Sequence, residues 1–526
     1  MENVRANGKL RVDPVVVILL SVLVNSIALM ANSRLVPGVL DSAKSLWAAS
    51  ALESGFLSRL NLSNQPNSVI KSSFKLGDVA QTTIGLSGLS AAQFHLLRTG
   101  IDQEVKVDAR HAALEFHTEA WYTLDGSLPG GIWDSIAGLY ITKDDSFVRI
   151  HTNFPHHRKG ILFILNVPDT PETSRTMVQA ALRTWNAIEF ETEAASRGMC
   201  ATALRSFAQW ELHPHAQALQ GVPPVQLIKI GDAPKRGISG DFTRPLDGIR
   251  VLDLTRVLAG PVAGRTLAAH GADVLLITSP RLPSLPFDAD TSRGKRTTQL
   301  DLTLSSDHEK LKELAASADV FLQAYRPGGL QEKGFGSQEL AALRPGIICA
   351  NLRAWGWEGP WKDRRGFDSL VQTATGFNVA EAEAYAEYTS GEGSLQPRPL
   401  PVQALDHAAG YLLAYGINTA LCKTITEGGS WEVRVSLAAV GQWIRSLGQL
   451  PAEEAFGPEA RSLPPRGLPL DPEITGLSIP WRSEHGERTM TALRHAAVLS
   501  RTPVREGYAT QAPIVLNAHS AEWLGR

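Results

Sequence analysis

Few side chains in this chain are spaced to do chemistry together. Cys200, Cys349 and Cys422 lie far apart with no C-x-x-C pair. An odd, sparse set argues against a disulfide framework and against zinc. It suits the cytoplasm or another reducing intracellular compartment. His156 and His157 are adjacent, and on a strand such neighbours point to opposite faces, so no metal is expected there. His213 and His215 flank Pro214 and read as loop residues, and Lys295-Arg296 reads as a solvated turn. One carboxylate stands apart. Asp406, within Gln403-Ala404-Leu405-Asp406-His407-Ala408-Ala409-Gly410, falls where a helix begins. Aspartate is favoured there as a plain N-cap, yet a carboxylate beside free backbone N–H groups is also placed for nucleophilic work. The residues alone favour the plain N-cap.

The elements that must position such a group follow from length and pattern. At about 150 residues per domain, 526 residues allow three or four domains or a duplicated two-domain unit. Hydrophobic residues make up 43% and charged ones 20%, enough apolar surface to bury, so wholesale disorder is excluded. A net charge of −2 offers no phosphate-tracking field, which removes nucleic acid as a partner. Residues 1–70 read as an N-terminal helical segment. Within it, residues 14–31 carry no charge; Ser21, Asn25 and Ser26 interrupt the run, so a buried or interfacial helix is expected, with membrane contact as the alternative. Residues 71–235 read as one unit, closed by Pro223-Pro224 and a polar linker. From Gly248 strands and helices alternate: Ile249 to Leu254, Val274 to Ile277, Val320 to Leu322 and Gly346 to Asn351 are short apolar strands. That rhythm predicts an α/β fold with a parallel sheet over residues 245–450, its ligand at the carboxyl ends of the strands. No G-x-G-x-x-G follows the first strand, so a nicotinamide cofactor is not signalled. Residues 451–526 form a C-terminal segment.

The chain also repeats itself. At an offset of 328 residues Asp78 falls on Asp406, Gly88 on Gly416, Gly100 on Gly428, and Val105 and Val107 on Val433 and Val435, in the same order of helix, turn and strand. Two unequal copies are expected, the first without the parallel-strand region.

The stretch from 245 to 440 resembles the family III CoA-transferases, the CaiB/BaiF family. The resemblance rests on Asp253-Leu254-Thr255-Arg256-Val257-Leu258-Ala259-Gly260-Pro261, on Arg293-Gly294-Lys295-Arg296, on Tyr325-Arg326-Pro327-Gly328 and on Gly366-Phe367-Asp368. Residues 134–235 resemble that family's small domain. The fold implied is a Rossmann-like, parallel-sheet CoA-binding domain with a smaller α+β domain, here as two unequal copies. The activity implied is CoA transfer between an acyl-CoA thioester and a free carboxylic acid, with CoA as co-substrate and no permanently bound cofactor. The resemblance makes Asp406 the nucleophile, carrying in turn an aspartyl anhydride and an aspartyl-CoA thioester, chemistry that a carboxylate can perform. It assigns CoA contacts to Val257, Leu258, Ala259, Leu300, Tyr325, Arg353 and Trp355, and draws Lys295-Arg296 toward a CoA phosphate. Thr278 and Ala324 depart from the family pattern on the adenine side.

The same family includes 2-methylacyl-CoA racemases, which need two acid/base groups flanking one carbon. Phe367 stands where those enzymes carry a histidine, leaving His407 as the substitute, so transfer is preferred. A catalytically silent scaffold is the remaining alternative, and the intact Asp406 segment counts against it. Family members form interlocked homodimers; two partial copies in one chain imply that part of that arrangement is intramolecular. Asp78 is read as a structural remnant. The small domain near Asn153 to Arg158 is expected to cover the strand ends, and a chain beginning at Asp247 is expected to keep CoA binding while transferring poorly.

Overall fold

The computed structural model describes residues 39–525 apart from 132 and 392–394. The uncharged segment 14–31 lies outside the described residues; among those described, no helix is long and apolar enough to cross a membrane.

The centre of the molecule is a seven-stranded sheet. In chain order its strands are β1 (Val225–Gly231), β2 (Arg250–Leu254), β3 (Asp273–Thr278), β4 (Arg296–Gln299), β5 (Val320–Gln323), β6 (Ile348–Arg353) and β7 (Ser430–Ser436). In space they run β4-β3-β2-β5-β6-β7-β1, all parallel except β1. The parallel strands read as apolar runs because helices cover both faces: Val251, Leu252, Leu275, Phe321 and Ile348 are fully buried. The chain winds outward from β2 to β4, then returns beside β2 as β5. The crevice that opens at this reversal, beyond the carboxyl ends of β2 and β5, is where such sheets hold ligands.

A small domain stands over that end. Strands Gly138–Ile141, Phe147–Ile150 and Ala201–Ala203 form an antiparallel sheet. Helices Pro155–Ile164, Arg175–Leu182 and Ala187–Ser196 close a core around Val148, Ile161 and Phe190. Two expectations change here. His156 and His157 occupy the first turn of a helix, not a strand, because Pro155 fixes the first helical position; their rings lie 4.0 Å apart. β1, within the range read as part of the first unit, is an edge strand of the central sheet.

The repeat is structural. Helices Leu76–Thr99 and Ala404–Thr426, each buried along most of its length, pack along one another. Gly88 admits Val105 against the first helix, and Gly416 admits Val433 against the second: a Cβ would lie 3.1 Å and 2.5 Å from those side chains. Both connections turn through a left-handed glycine at φ 74°, Gly100 and Gly428. Asp108 and Ser436, 328 residues apart, then cap the next helices through the backbone N–H groups of His111 and Ala439.

Each copy also lends a strand to the other. Residues Val105–Val107 of the first copy pair in parallel with Leu60–Leu62 and in antiparallel with Ala497–Leu499, from the C-terminal segment. In the second copy β7 pairs in parallel with β6 and in antiparallel with β1, which follows the small domain. The C-terminal segment further forms a sheet of Ser478–Arg482 and Thr489–Leu493 with Thr123–Leu124 of the first copy. Where these parts meet lies a solvent-free ionic junction. Arg265 and Arg293 both reach Asp290, at 2.9 and 3.0 Å, and His495 lies 3.2 Å from Glu115.

This interleaving revises the expectation for a shortened chain. Without residues 1–246 the helix Ala404–Thr426 loses the partner that covers it, and β7 loses β1. A chain beginning at Asp247 is therefore expected to be insoluble or molten, lacking a cooperative thermal transition. A soluble, cooperatively melting fragment would show that the copies fold independently.

Candidate active site

Asp406 does not cap its helix. The helix begins at Ala404, and Gln403 before it offers no side-chain cap. The cap comes instead from Asp368, at the start of helix Asp368–Thr375. Its Oδ2 accepts the backbone N–H groups of Leu405 at 2.8 Å and Asp406 at 3.0 Å, and its Oδ1 accepts from Gln372. The helix end is thus satisfied by a neighbour's carboxylate. No side-chain hydrogen bond engages the Asp406 carboxyl among the described residues, and the residue is 7% exposed, at the wall of the crevice. Burial, then Asp368 and Glu119 nearby, raises its pKa well above the usual carboxylate range. Burial likewise lifts Asp368, to about 6, against the pull of the N–H groups it accepts.

His407 faces elsewhere. It is fully buried, with Nε2 3.2 Å from Glu119 Oε2 and its ring stacked on Phe116.

The crevice has a volume of about 320 Å³. Its floor is the turn after β2, with Val257, Leu258 and Ala259; Tyr325 and Arg326 after β5 and Arg353 at the end of β6 form one side. Arg364, Arg365 and Phe367 form another, and Phe154, His156 and His157 of the small domain pack against them, with Arg365 Nη1 2.9 Å from His157 Nε2 and Phe154 stacked on Phe367. Val257 is held at φ 74°, a left-handed conformation unfavourable for a β-branched residue, costing about 1–3 kcal/mol. That turn starts helix Ala259–Ala269, whose first N–H groups have no intrahelical partner and suit an anion. Gly410 lets this helix lie against the Asp406 helix: a Cβ there would sit 2.6 Å from the carbonyl of Ala259.

Leu300 lines an adjoining hollow of about 250 Å³, beyond β3 and β4, with Thr278, Arg281 and Lys333. Tyr325 and Arg326 belong to both spaces; burial pushes the Tyr325 hydroxyl up to about 12. Asp406, Val257, Leu258, Ala259, Tyr325 and Arg353 thus share one crevice, and Leu300 its extension. Trp355 is 3% exposed and packs with Trp210 and Trp361, its Nε1 donating to the Arg365 carbonyl, so it stands behind the wall.

Lys295 and Arg296 are held in ion pairs and line neither the crevice nor its extension. Lys295 is wholly buried 2.7 Å from Asp253, and Arg296 pairs with Asp273 at 2.9 Å. Asp78 is buried too, accepting from Thr82 at 3.0 Å and Ser42 at 3.2 Å, with no part in the crevice. Among the described residues no cluster of histidine, cysteine or carboxylate side chains is arranged to hold a metal. Asp368, Arg364 and Arg365 were not singled out from the sequence. All three lie in or beside the motif Gly366-Phe367-Asp368, the one signal that pointed to them.

Several known proteins are similar to part of this chain. Residues 246–461 match the description of CoA-transferase family III. An acyl-CoA transferase of Gibberella moniliformis is 27% identical over 69% of this chain and 68% of its own length. The acetyl-coenzyme A transferase nodX of Hypoxylon pulicicidum is 29% identical over 60% of this chain and 55% of its own. A probable fatty acyl-CoA transferase of Mycobacterium tuberculosis is 34% identical over 38% of this chain and 52% of its own. The chain therefore spans between about half and two thirds of these relatives. A crystal structure of a hypothetical protein from Mycobacterium tuberculosis is similar over 39% of this chain and 59% of that one, at 33% identity and a TM-score of 0.33. The matched region contains the parallel strands, the crevice floor and the Asp406 helix, and over it this chain is similar to family III of the CoA-transferases.

Proposed function

We propose that the protein moves CoA from an acyl-CoA thioester to a free carboxylic acid, with Asp406 as the nucleophile. The observation that carries this reading is one carboxylate, free of side-chain hydrogen bonds among the described residues, at a helix N-terminus in a crevice lined by arginines, two histidines, a tyrosine and apolar groups. CoA is a co-substrate that enters and leaves. The turn Val257-Leu258-Ala259 would receive it beside unbonded N–H groups, Leu300 and Tyr325 would line its nucleotide end, and Arg353 would meet an anionic group.

The chemistry then closes without any outside reagent. The Asp406 carboxylate attacks the thioester carbonyl, forming a mixed anhydride and expelling CoA thiolate. The thiolate attacks the Asp406 carbonyl of that anhydride, releasing the first carboxylic acid and leaving an aspartyl-CoA thioester. The acceptor carboxylate attacks this thioester, giving a second anhydride and thiolate, which then takes the acceptor's acyl group and restores Asp406. Splitting one displacement into four keeps each barrier low. Both anhydride and thioester are prone to hydrolysis, and Phe154, His156 and His157 stand over the crevice where water would enter.

The two positions considered for a racemase base do not supply one. Phe367 is stacked on His151 with ring centroids 3.8 Å apart, and His407 is committed to Glu119.

Asp406→Asn and Asp406→Ala should lose CoA transfer by at least about 10³-fold, the scale for removing a nucleophile, while Asp78→Ala stays within about threefold. Because burial raises the Asp406 pKa in the folded state, its ionisation opposes folding as pH rises past the unfolded value. Asp406→Asn should accordingly melt no lower than wild type at neutral pH; a much lower melting temperature would recast the carboxylate as structural.

The same shift sets the pH profile. Protonated Asp406 cannot attack, so kcat/KM should fall on acidification with a midpoint well above the ordinary aspartate value of about 3.9. Asp368→Asn removes the neighbouring charge and should move that midpoint to lower pH; an unmoved limb would assign it to another group.

Finally, a chiral 2-methylacyl-CoA incubated in heavy water should take up no deuterium at its α-carbon. Rapid exchange would favour the racemase reading instead.

A further inference from the structure

Beneath the crevice floor lies an ion pair that the reaction steps leave unused. Asp253 lies in β2, and Lys295 immediately precedes β4, with β3 between the two strands. Both side chains are buried, and Lys295 Nζ lies 2.7 Å from Asp253 Oδ2. Taking two charges out of water is costly, and an apolar pair of similar volume serves packing as well or better. Packing alone therefore does not account for the pair.

Its contacts do. Lys295 Nζ also donates to the carbonyl of Pro261 at 2.9 Å, in the first turn of helix Ala259–Ala269. The other oxygen of Asp253 accepts from the Thr255 hydroxyl at 2.5 Å. Asp253 thus holds the start of the turn Thr255 to Pro261, and Lys295 holds its end. Two glycines make room for this. A Cβ at Gly264 would sit 2.1 Å from Asp253 Oδ2 and 2.9 Å from Lys295 Nζ, and one at Gly260 would sit 2.6 Å from the Thr255 side chain.

Between the two anchors lies Val257, at φ 74°. A β-branched residue keeps that conformation only where its surroundings over-determine it. Leu258, the residue before the helix, makes no side-chain cap, so the turn is held from beneath. Pro261 has no N–H, which concentrates the free donors of this helix end at Ala259 and Gly260, on the crevice floor.

We propose that Asp253 and Lys295 are positioning residues that hold Val257 in its left-handed conformation, and with it the N–H groups of Ala259 and Gly260, in the arrangement that receives CoA. They do not line the crevice and act only through its floor. The buried pair meets the strain of the turn, so the floor is formed before CoA arrives and binding bears none of that cost. This inference rests on the transferase reading, which places CoA on the same turn.

The test is a mutant cycle on the full chain, read by calorimetric titration with free CoA and by thermal melting. The double variant Asp253→Leu/Lys295→Met leaves no buried unpaired charge and should melt cooperatively. It should bind CoA at least about twentyfold more weakly than wild type, the scale of a strained residue released. Thr255→Val removes one bond and keeps both charges; it should weaken CoA about fivefold, and Thr255→Ser should restore the affinity. The deciding comparison is made in a Val257→Gly background. Glycine enters the left-handed region without strain, so there the same substitutions should weaken CoA by no more than about threefold. Unchanged affinity in the folded double variant, or in Thr255→Val should the double variant not fold, would overturn the inference and leave the transferase reading standing. An equal loss in both backgrounds would also overturn it, by making the pair a general support of the fold. A wild type that binds no free CoA would end the transferase reading and this inference together.

Discussion

The reciprocal exchange of strands between the two copies is the constraint on which the rest of the structure depends. β1 leaves the small domain to pair with β7 of the second copy, and Ala497–Leu499 leaves the C-terminal segment to pair with Val105–Val107 of the first. Neither copy can close its own sheet. The long helices Leu76–Thr99 and Ala404–Thr426 are consequently pressed together, and each can be apolar nearly all round. One consequence is chemical. The small domain, which belongs to the first copy, is brought over the strand ends of the second, and the crevice at Asp406 draws walls from both.

Within that frame the division of labour between two carboxylates matters most. Asp368 satisfies the helix end that Asp406 would otherwise cap, so Asp406 is left without a structural task. Both are buried, and burial disfavours the charged form of each. The one that accepts backbone N–H groups is the better stabilised anion, and the one facing the crevice is the more basic. A raised pKa also makes a carboxylate a stronger nucleophile once ionised, which suits attack on a thioester. The first copy shows the contrast: Asp78 holds the equivalent place but is tied to Thr82 and Ser42, and its side lacks the parallel sheet.

Much of this was legible in the sequence where local pattern decides structure. Val274 to Ile277 is a buried strand by composition, and the paired Gly88 and Gly416 mark two helices that meet equivalent strands. What was not legible depends on partners distant along the chain. Lys295 looked solvated because its carboxylate, Asp253, lies on another strand. β1 looked like the end of one unit because nothing in an edge strand names the sheet it joins. His156 and His157 looked like strand neighbours until Pro155 was seen to start a helix. Asp406 looked like an N-cap by position alone, and only Asp368, from another helix, relieves it of that role. Trp355 was assigned to the crevice, yet its indole is used to hold the Arg365 carbonyl from behind.

The central claim is that CoA becomes covalently attached to Asp406. It is tested most directly by mixing the protein with an acyl-CoA in the absence of any acceptor, quenching with hydroxylamine, and mapping the product by peptide mass spectrometry. The account predicts a hydroxamate at Asp406 and at no other carboxylate. Consumption of acyl-CoA with Asp406 unmodified, or a hydroxamate at Asp368 in its place, would contradict it.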